Sequence, residues 1–257
     1  DGQVKQIRQF AELGNTSVDA VVNLAGEPIA DKRWTESRKA LLRSSRIDLT
    51  AELVNWISLQ GQKPKVLISG SAIGYYGSHE SDLRLGEASE AQSGFTHNLC
   101  KDWEEEALKA ELDGVRVCLI RTGIVLGDGG ALSKMLLPFK LGLGGPIGNG
   151  EQWMSWIHID DEVEIIEMLL THEHLSGSFN LTAPEAVINR EFTRIFASVL
   201  SRPACLPMPP FVAKLMLGEG AELLLRGQRV YPEKLLEVGY KFKHESLQSA
   251  MASLFSK

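Results

Sequence analysis

Three short apolar runs, each closing on small residues, constrain this chain more than any other feature. Ala20-Val21-Val22-Asn23-Leu24 ends at Ala25-Gly26. Lys65-Val66-Leu67-Ile68-Ser69 ends at Gly70-Ser71, and Val115-Arg116-Val117-Cys118-Leu119-Ile120 ends at Arg121-Thr122-Gly123. Runs of this length with little polar alternation suit strands buried on both faces, as in a parallel sheet. Helix-period segments separate them. Across 36–60, Leu42, Arg46, Leu49, Leu53, Trp56 and Ile57 recur near i, i+3 and i+4, and Gly61 and Pro64 close the segment. Between the second and third runs, Phe95, Leu99, Trp103 and Leu108 form another stripe, with Glu104, Glu105 and Glu106 expected on its wetter side.

Strand, helix, strand, helix, strand implies right-handed crossovers and an α/β fold with a doubly wound parallel sheet. Ligands of such sheets bind at the carboxyl ends of the strands. Gly26, Gly70 and Gly123 stand at those ends, where a missing side chain lets a ligand approach the backbone. Beyond about residue 145 the pattern changes to amphipathic segments at 160–170 and 190–200. A break at Pro203, Pro207, Pro209 and Pro210 follows, and then short helical pieces at 211–217, 232–238 and 245–255. The expected division is a dinucleotide-binding domain over 1–145 and a smaller, mostly helical region for substrate or capping over 146–257. Residues 141–150, with five glycines, read as a flexible loop near the junction.

Composition narrows the function. The net charge is -6 and the cations are interleaved with acids, which argues against a nucleic-acid surface. No apolar run approaches the ~18 residues of a membrane span. Three unpaired cysteines, Cys100, Cys118 and Cys205, and no secretory h-region read as a reduced cytoplasmic protein. The expected partner is a small molecule, with oligomeric state left open. No G-x-G-x-x-G occurs, although a Rossmann protein opens with a strand and a Gly-rich turn. Asp1 falls just before what would be the third strand, so roughly 40 residues are expected to precede it in the native protein.

Six ordered motifs carry a resemblance: Asn23-Leu24-Ala25-Gly26-Glu27-Pro28-Ile29-Ala30, Lys32-Arg33-Trp34, Ser69-Gly70-Ser71-Ala72-Ile73-Gly74-Tyr75-Tyr76-Gly77, Arg121-Thr122-Gly123-Ile124-Val125-Leu126, Trp156-Ile157-His158-Ile159-Asp160-Asp161 and Gly227-Gln228-Arg229-Val230-Tyr231-Pro232. Together they resemble the "epimerase family" of atypical extended short-chain dehydrogenase/reductases. The resemblance implies NADP(H), or else NAD(H), across the strand ends. Leu24, Ala25 and Gly26 would pass the adenine-ribose side. Ser69, Gly70 and Ser71 would underlie the nicotinamide ribose, and Arg121, Thr122, Gly123 and Ile124 would approach the carboxamide. It implies no metal.

The superfamily's Tyr-x-x-x-Lys pair is missing. Phe95 and Leu99, or one residue later Thr96 and Cys100, stand in its place. Phenylalanine has no ionisable proton and neither leucine nor cysteine supplies a fixed cation, so the usual proton relay is absent. Ser71, Tyr75 and Tyr76 are the catalytic candidates. Ser71 either holds a substrate oxygen or satisfies loop backbone groups, and the tyrosines either replace the missing phenol or pack. Lys32, Arg33 and Trp34 either bind an acidic or phosphorylated substrate, or the cofactor, or form a solvated helix start, where the macrodipole disfavours cations. His158 is expected to fix the junction, with Asp160 capping the following helix. His172 and His174 lack a third metal ligand. Two functions follow from the resemblance: an NADP(H)-dependent oxidoreductase or nucleotide-sugar-epimerase-like enzyme, or a dinucleotide-binding redox sensor or scaffold without turnover.

Overall fold

A computed structural model describes residues 4–14, 16–79 and 82–255. Ten strands are labelled in chain order: β1 (Ala20–Asn23), β2 (Val66–Ala72), β3 (Arg84–Leu85), β4 (Arg116–Thr122), β5 (Ile124–Leu126), β6 (Trp153–Met154), β7 (Trp156–His158), β8 (Gly177–Leu181), β9 (Val187–Ile188) and β10 (Arg229–Val230). The α-helices are α1 (Glu36–Ser44), α2 (Ile47–Leu59), α3 (Phe95–Leu108), α4 (Gly130–Lys140), α5 (Ile159–Thr171), α6 (Asn189–Val199), α7 (Pro210–Leu217), α8 (Glu222–Leu225), α9 (Glu233–Glu237) and α10 (Leu247–Phe255).

The main sheet is wholly parallel in the order β1-β2-β4-β8. Alternation along its strands builds two cores. Leu67, Val117 and Leu119 face Leu53, Val54, Ile57 and Ala107 of α2 and α3. Ile68, Cys118 and Ile120 face Ile165 and Leu169 of α5. Helices therefore cover both faces, and each fully buried leucine or isoleucine contributes roughly 1.5–3 kcal/mol. At the β1 edge the cover thins, leaving Val22 41% and Leu24 60% exposed.

Several local expectations need correction. The helix expected over 36–60 is two helices. Arg46 leaves ideal helical geometry at φ -112°, and its guanidinium reaches back to the carbonyls of Glu27 and Leu42. Glu104 is buried rather than wet, because its position on α3 faces the sheet. Asp160 does not cap α5. The His158 ring does, with Nδ1 accepting from the Asp160 N–H at 3.1 Å. Residues 141–150 form turns tied down by backbone bonds that include Gly148 to Met208, Met208 to Pro146, Leu206 to Gly144 and Arg190 to Gly150. That segment follows α4 rather than opening a helix.

Two elements carry no periodic signal strong enough to read in advance. One is α4, and the other is β8, whose Gly-Ser-Phe-Asn-Leu is too short and too polar to stand out. β8 lies beyond residue 145 and supplies the fourth strand of the main sheet. A further cluster around Trp156, Phe192, Phe196 and Met251 joins β7, α6 and α10.

Candidate functional site

The carboxyl ends of β1, β2, β4 and β8 meet at one rim of the sheet. At β1, the buried Asn23 donates to Thr50 Oγ1 at 2.9 Å, and its Oδ1 accepts from the Ala25 N–H. Trp103 Nε1 donates to the same Thr50 hydroxyl. Ala25 is half-buried and Gly26 exposed. The glycines here also meet a packing need. A Cβ on Gly70 would come within 2.9 Å of the Trp103 ring, and one on Gly123 within 2.6 Å of the Ser155 carbonyl oxygen. At Gly26 the Arg46 guanidinium fills the space. At all three, the protein's own atoms lie where a Cβ would stand.

Below the rim runs a buried polar network that period-2 alternation predicts once the sheet is known. Ser69, Ser71 and Arg121 all point toward α3. Arg121 meets Glu104 bidentately, Nε to Oε1 and Nη2 to Oε2, both at 2.9 Å, with both side chains almost wholly buried. Ser71 Oγ donates to the same Oε1 at 2.6 Å. Arg121 Nη1 donates to the Tyr76 hydroxyl at 3.1 Å and to the Glu87 carbonyl at 3.2 Å. Tyr76 then donates to Asn180 Oδ1 of β8 at 2.7 Å, and Asn180 Nδ2 donates to the Tyr231 carbonyl at 2.9 Å. One chain of bonds thus joins β2, β4, α3, β8 and the segment after β10. A buried pair of this kind requires every partner, because each charge left alone would be uncompensated.

The sequence candidates separate under this geometry. Tyr76 is 0% exposed and both its bonds are internal. Burial pushes its phenol up to about 12, against the pull of Arg121. Ser71 is likewise enclosed against Glu104. Tyr75 is half-buried with its ring over the Arg121 guanidinium, 3.4 Å from Cζ to the ring centroid, and its edge meets His97. Its hydroxyl has no hydrogen-bond partner among the described residues. Ser69 Oγ is buried without a partner. Phe95 packs edge-on against Trp34, and Leu99 joins the same cluster, so the positions of the absent Tyr and Lys are apolar core. Burial pushes the Cys100 thiol up to about 12.

Lys32, Arg33 and Trp34 part company. Lys32 is exposed, while Trp34 turns inward, donating from Nε1 to the Ile29 carbonyl at 2.9 Å. Arg33 donates to the Leu215 carbonyl and lines a cavity of about 870 Å³ with His79, Trp153, Lys214 and Glu222.

Sequence reasoning missed Glu104, Asn180 and Glu162. Glu162, on α5, accepts from Thr122 Oγ1 at 2.9 Å, and its Oε2 is buried without a partner. Burial pushes its carboxyl up to about 7, against the hydrogen bond from Thr122. An acid placed where the helix pattern wants an apolar residue was the available signal. His158, Asp160 and His244 offer ligand atoms within 4.8 Å of one another. Both His158 nitrogens are already used, on the Asp160 N–H and against Ser253 Oγ. His172 and His174 pair edge-on near the surface.

Residues 1–182 match the NAD dependent epimerase/dehydratase family, and residues 208–254 match a domain of unknown function (DUF1731). An Arabidopsis thaliana protein, "Epimerase family protein SDR39U1 homolog, chloroplastic", is 44% identical over 238 residues, covering 91% of this chain and 68% of its own length. Bacillus subtilis YfhF, also an epimerase family protein, is 38% identical, covering 93% of this chain and 78% of its own length. The human epimerase family protein SDR39U1, crystallised with NADPH, superposes with a TM-score of 0.91 at 36% identity, covering 96% of this chain and 86% of that one. The sheet with helices on both faces is thus Rossmann-like, and this chain belongs to the NAD-dependent epimerase/dehydratase family.

Proposed function

We propose that this protein binds NADP(H) at the carboxyl rim of its sheet and acts as an oxidoreductase or nucleotide-sugar-epimerase-like enzyme on a small molecule. The observation that carries the reading is the 0.91 superposition on a protein crystallised with NADPH, maintained through the C-terminal region. NAD(H) is the alternative nucleotide. The residues at the rim fit a bound nucleotide in two respects. Leu24 offers exposed apolar surface beside β1, and the half-buried Tyr75 holds a hydroxyl without a hydrogen-bond partner among the described residues. When bound, the nicotinamide would supply a hydride donor or acceptor.

The chain's own contribution is positioning and a proton. Tyr75 is the better proton donor of the two tyrosines, because Tyr76 is sealed and Tyr75 reaches the rim with a guanidinium beneath its ring. Ser71 serves Glu104 and is a positioning residue in this reading. Arg33 stands at the cavity of about 870 Å³, whose size suits a small-molecule substrate.

The second reading, a nucleotide-binding redox sensor or scaffold, draws support from Phe95 and Leu99, which leave no standard proton relay. No helix among the described residues is long and apolar enough to cross a membrane. The three free thiols favour a reducing compartment, of which the cytoplasm is our reading.

Titration with NADPH and NADH, followed by nicotinamide fluorescence, tests the binding. Single-turnover hydride exchange against a panel of carbonyl compounds separates the two functions. Binding with exchange supports the enzyme. Binding with no exchange across the panel supports the sensor, and no binding of either nucleotide overturns both.

A further inference from the structure

A second cavity, of about 360 Å³, lies where β3 pairs with β10 and faces the start of α10. Its most unusual feature is the pairing itself. β3 and β10 run parallel, with Arg84 and Arg229 as register partners, and both arginines line the cavity. Like charges directly across a strand pair repel and are destabilising unless something compensates them. Among the described residues, neither guanidinium forms an ion pair with a carboxylate. Instead, each lies over an aromatic ring: Arg84 over Tyr231, with Cζ 3.7 Å from the ring centroid, and Arg229 over Trp153 at 4.4 Å. Arg229 spends one donor on the Asp82 carbonyl, at 3.3 Å.

Stacking occupies the face of a guanidinium and leaves its in-plane N–H donors free, the arrangement that favours bidentate recognition of a phosphate or carboxylate. The aromatic stacks also reduce the freedom the two side chains would lose on binding. Ser246, at the opposite wall, accepts from the Ser249 N–H, so its hydroxyl proton is available to a ligand oxygen. Two glutamates, Glu185 and Glu245, complete the polar lining, both exposed and beyond ion-pair distance of the arginines. A bare anion would feel them as repulsion. A ligand with an anionic end for the arginines and hydroxyl donors for the glutamates would satisfy both walls.

We propose that the Arg84–Arg229 cavity is a binding site for a small phosphorylated polyol of the sugar-phosphate class. The phosphate lies between the two guanidiniums, and the hydroxyls face Glu185 and Glu245. The site's lining shares no residue with the nucleotide candidates at the ends of β1, β2 and β4. It adjoins the larger cavity through Trp153, which carries Arg229 on its ring and lines that cavity. Its occupancy therefore does not require a nucleotide at the rim.

Isothermal titration of the full chain with glucose 6-phosphate, inorganic phosphate and glucose tests it. Glucose 6-phosphate should bind more tightly than phosphate, glucose should not bind, and both affinities should fall as salt is raised. Arg84→Gln and Arg229→Gln should each weaken glucose 6-phosphate binding tenfold or more. Phosphate as tight as glucose 6-phosphate would overturn the polyol assignment. No binding of either phosphate compound would overturn the site. Melting curves identify any arginine variant that fails to fold. Glu245→Gln changes an exposed side chain and should tighten inorganic phosphate severalfold. An unchanged affinity in Glu245→Gln would also overturn the proposal.

Discussion

Glu162 is the residue whose environment and sequence disagree most. An ordinary carboxyl titrates near 4.5, whereas burial raises this one to about 7 against the hydrogen bond from Thr122. Folding therefore favours the protonated form. The stability this confers is complete below pH 4.5 and is lost as pH rises through about 7. Glu162→Gln keeps the acceptor for Thr122 and removes the charge. Urea unfolding should find the variant equal to the parent near pH 4 and more stable by up to about 3 kcal/mol at pH 8. Equal stability at pH 8 would mean that Glu162 titrates normally.

The two tyrosines give a sharper contrast. Tyr76→Phe strands Asn180 Oδ1 and an Arg121 donor in the interior, so about 1–3 kcal/mol of stability should go. Hydride exchange, measured well below the melting temperature, should not change. Tyr75→Phe should leave stability within about 0.5 kcal/mol and lower exchange at least tenfold. Exchange that survives Tyr75→Phe removes that phenol from the chemistry. Adjacent in sequence and alike in kind, the pair could not be ranked before the structure. Their difference lies in which one faces β8.

At the element scale, α3 is held to the sheet by a charge as well as by apolar contact. Leu99, Trp103 and Ala107 supply the stripe that periodicity reveals. Glu104 sits among them, read as solvent-facing because glutamates usually are. Arg121, at the end of an apolar strand, is a cofactor contact only by the family resemblance. Each explains the other only once α3 and β4 are brought together. Arg121→Met should cost about 3–5 kcal/mol, since Glu104 would be left charged and buried. The double variant Arg121→Met with Glu104→Leu should recover most of that loss. A double-mutant cycle by chemical denaturation measures the coupling, and strictly additive losses would mean that the pair is not coupled. The same contacts account for Ser71, whose hydroxyl donates to the Glu104 carboxylate.

Across the whole molecule, the division expected at residue 145 meets a sheet that crosses it. One main core combines Val66, Ile68, Cys118 and Ile120 with Ile157, Ile165, Leu169, Phe179 and Leu181 from beyond that point. Residues 1–145 produced alone would expose that face, and β4 would become an unpaired edge. Hydrogen exchange and near-UV dichroism should show no cooperatively folded unit. A protected, cooperative fragment would restore an independent first domain.

What the sequence determined by itself was the local and repetitive part. Apolar runs of strand length, helix-period stripes and small residues at strand ends set the α/β class, the parallel strands β1, β2 and β4, and the rim where a ligand belongs. These signals rest on periodicity, which a chain carries without reference to distant residues. Tertiary structure decided what is paired with what. It placed Arg121 on Glu104, Tyr76 on Asn180, Arg84 beside Arg229 and β8 in the sheet. Such pairings join residues up to 145 positions apart, so no local pattern encodes them. A polar side chain becomes structural or free according to what the folded chain sets against it.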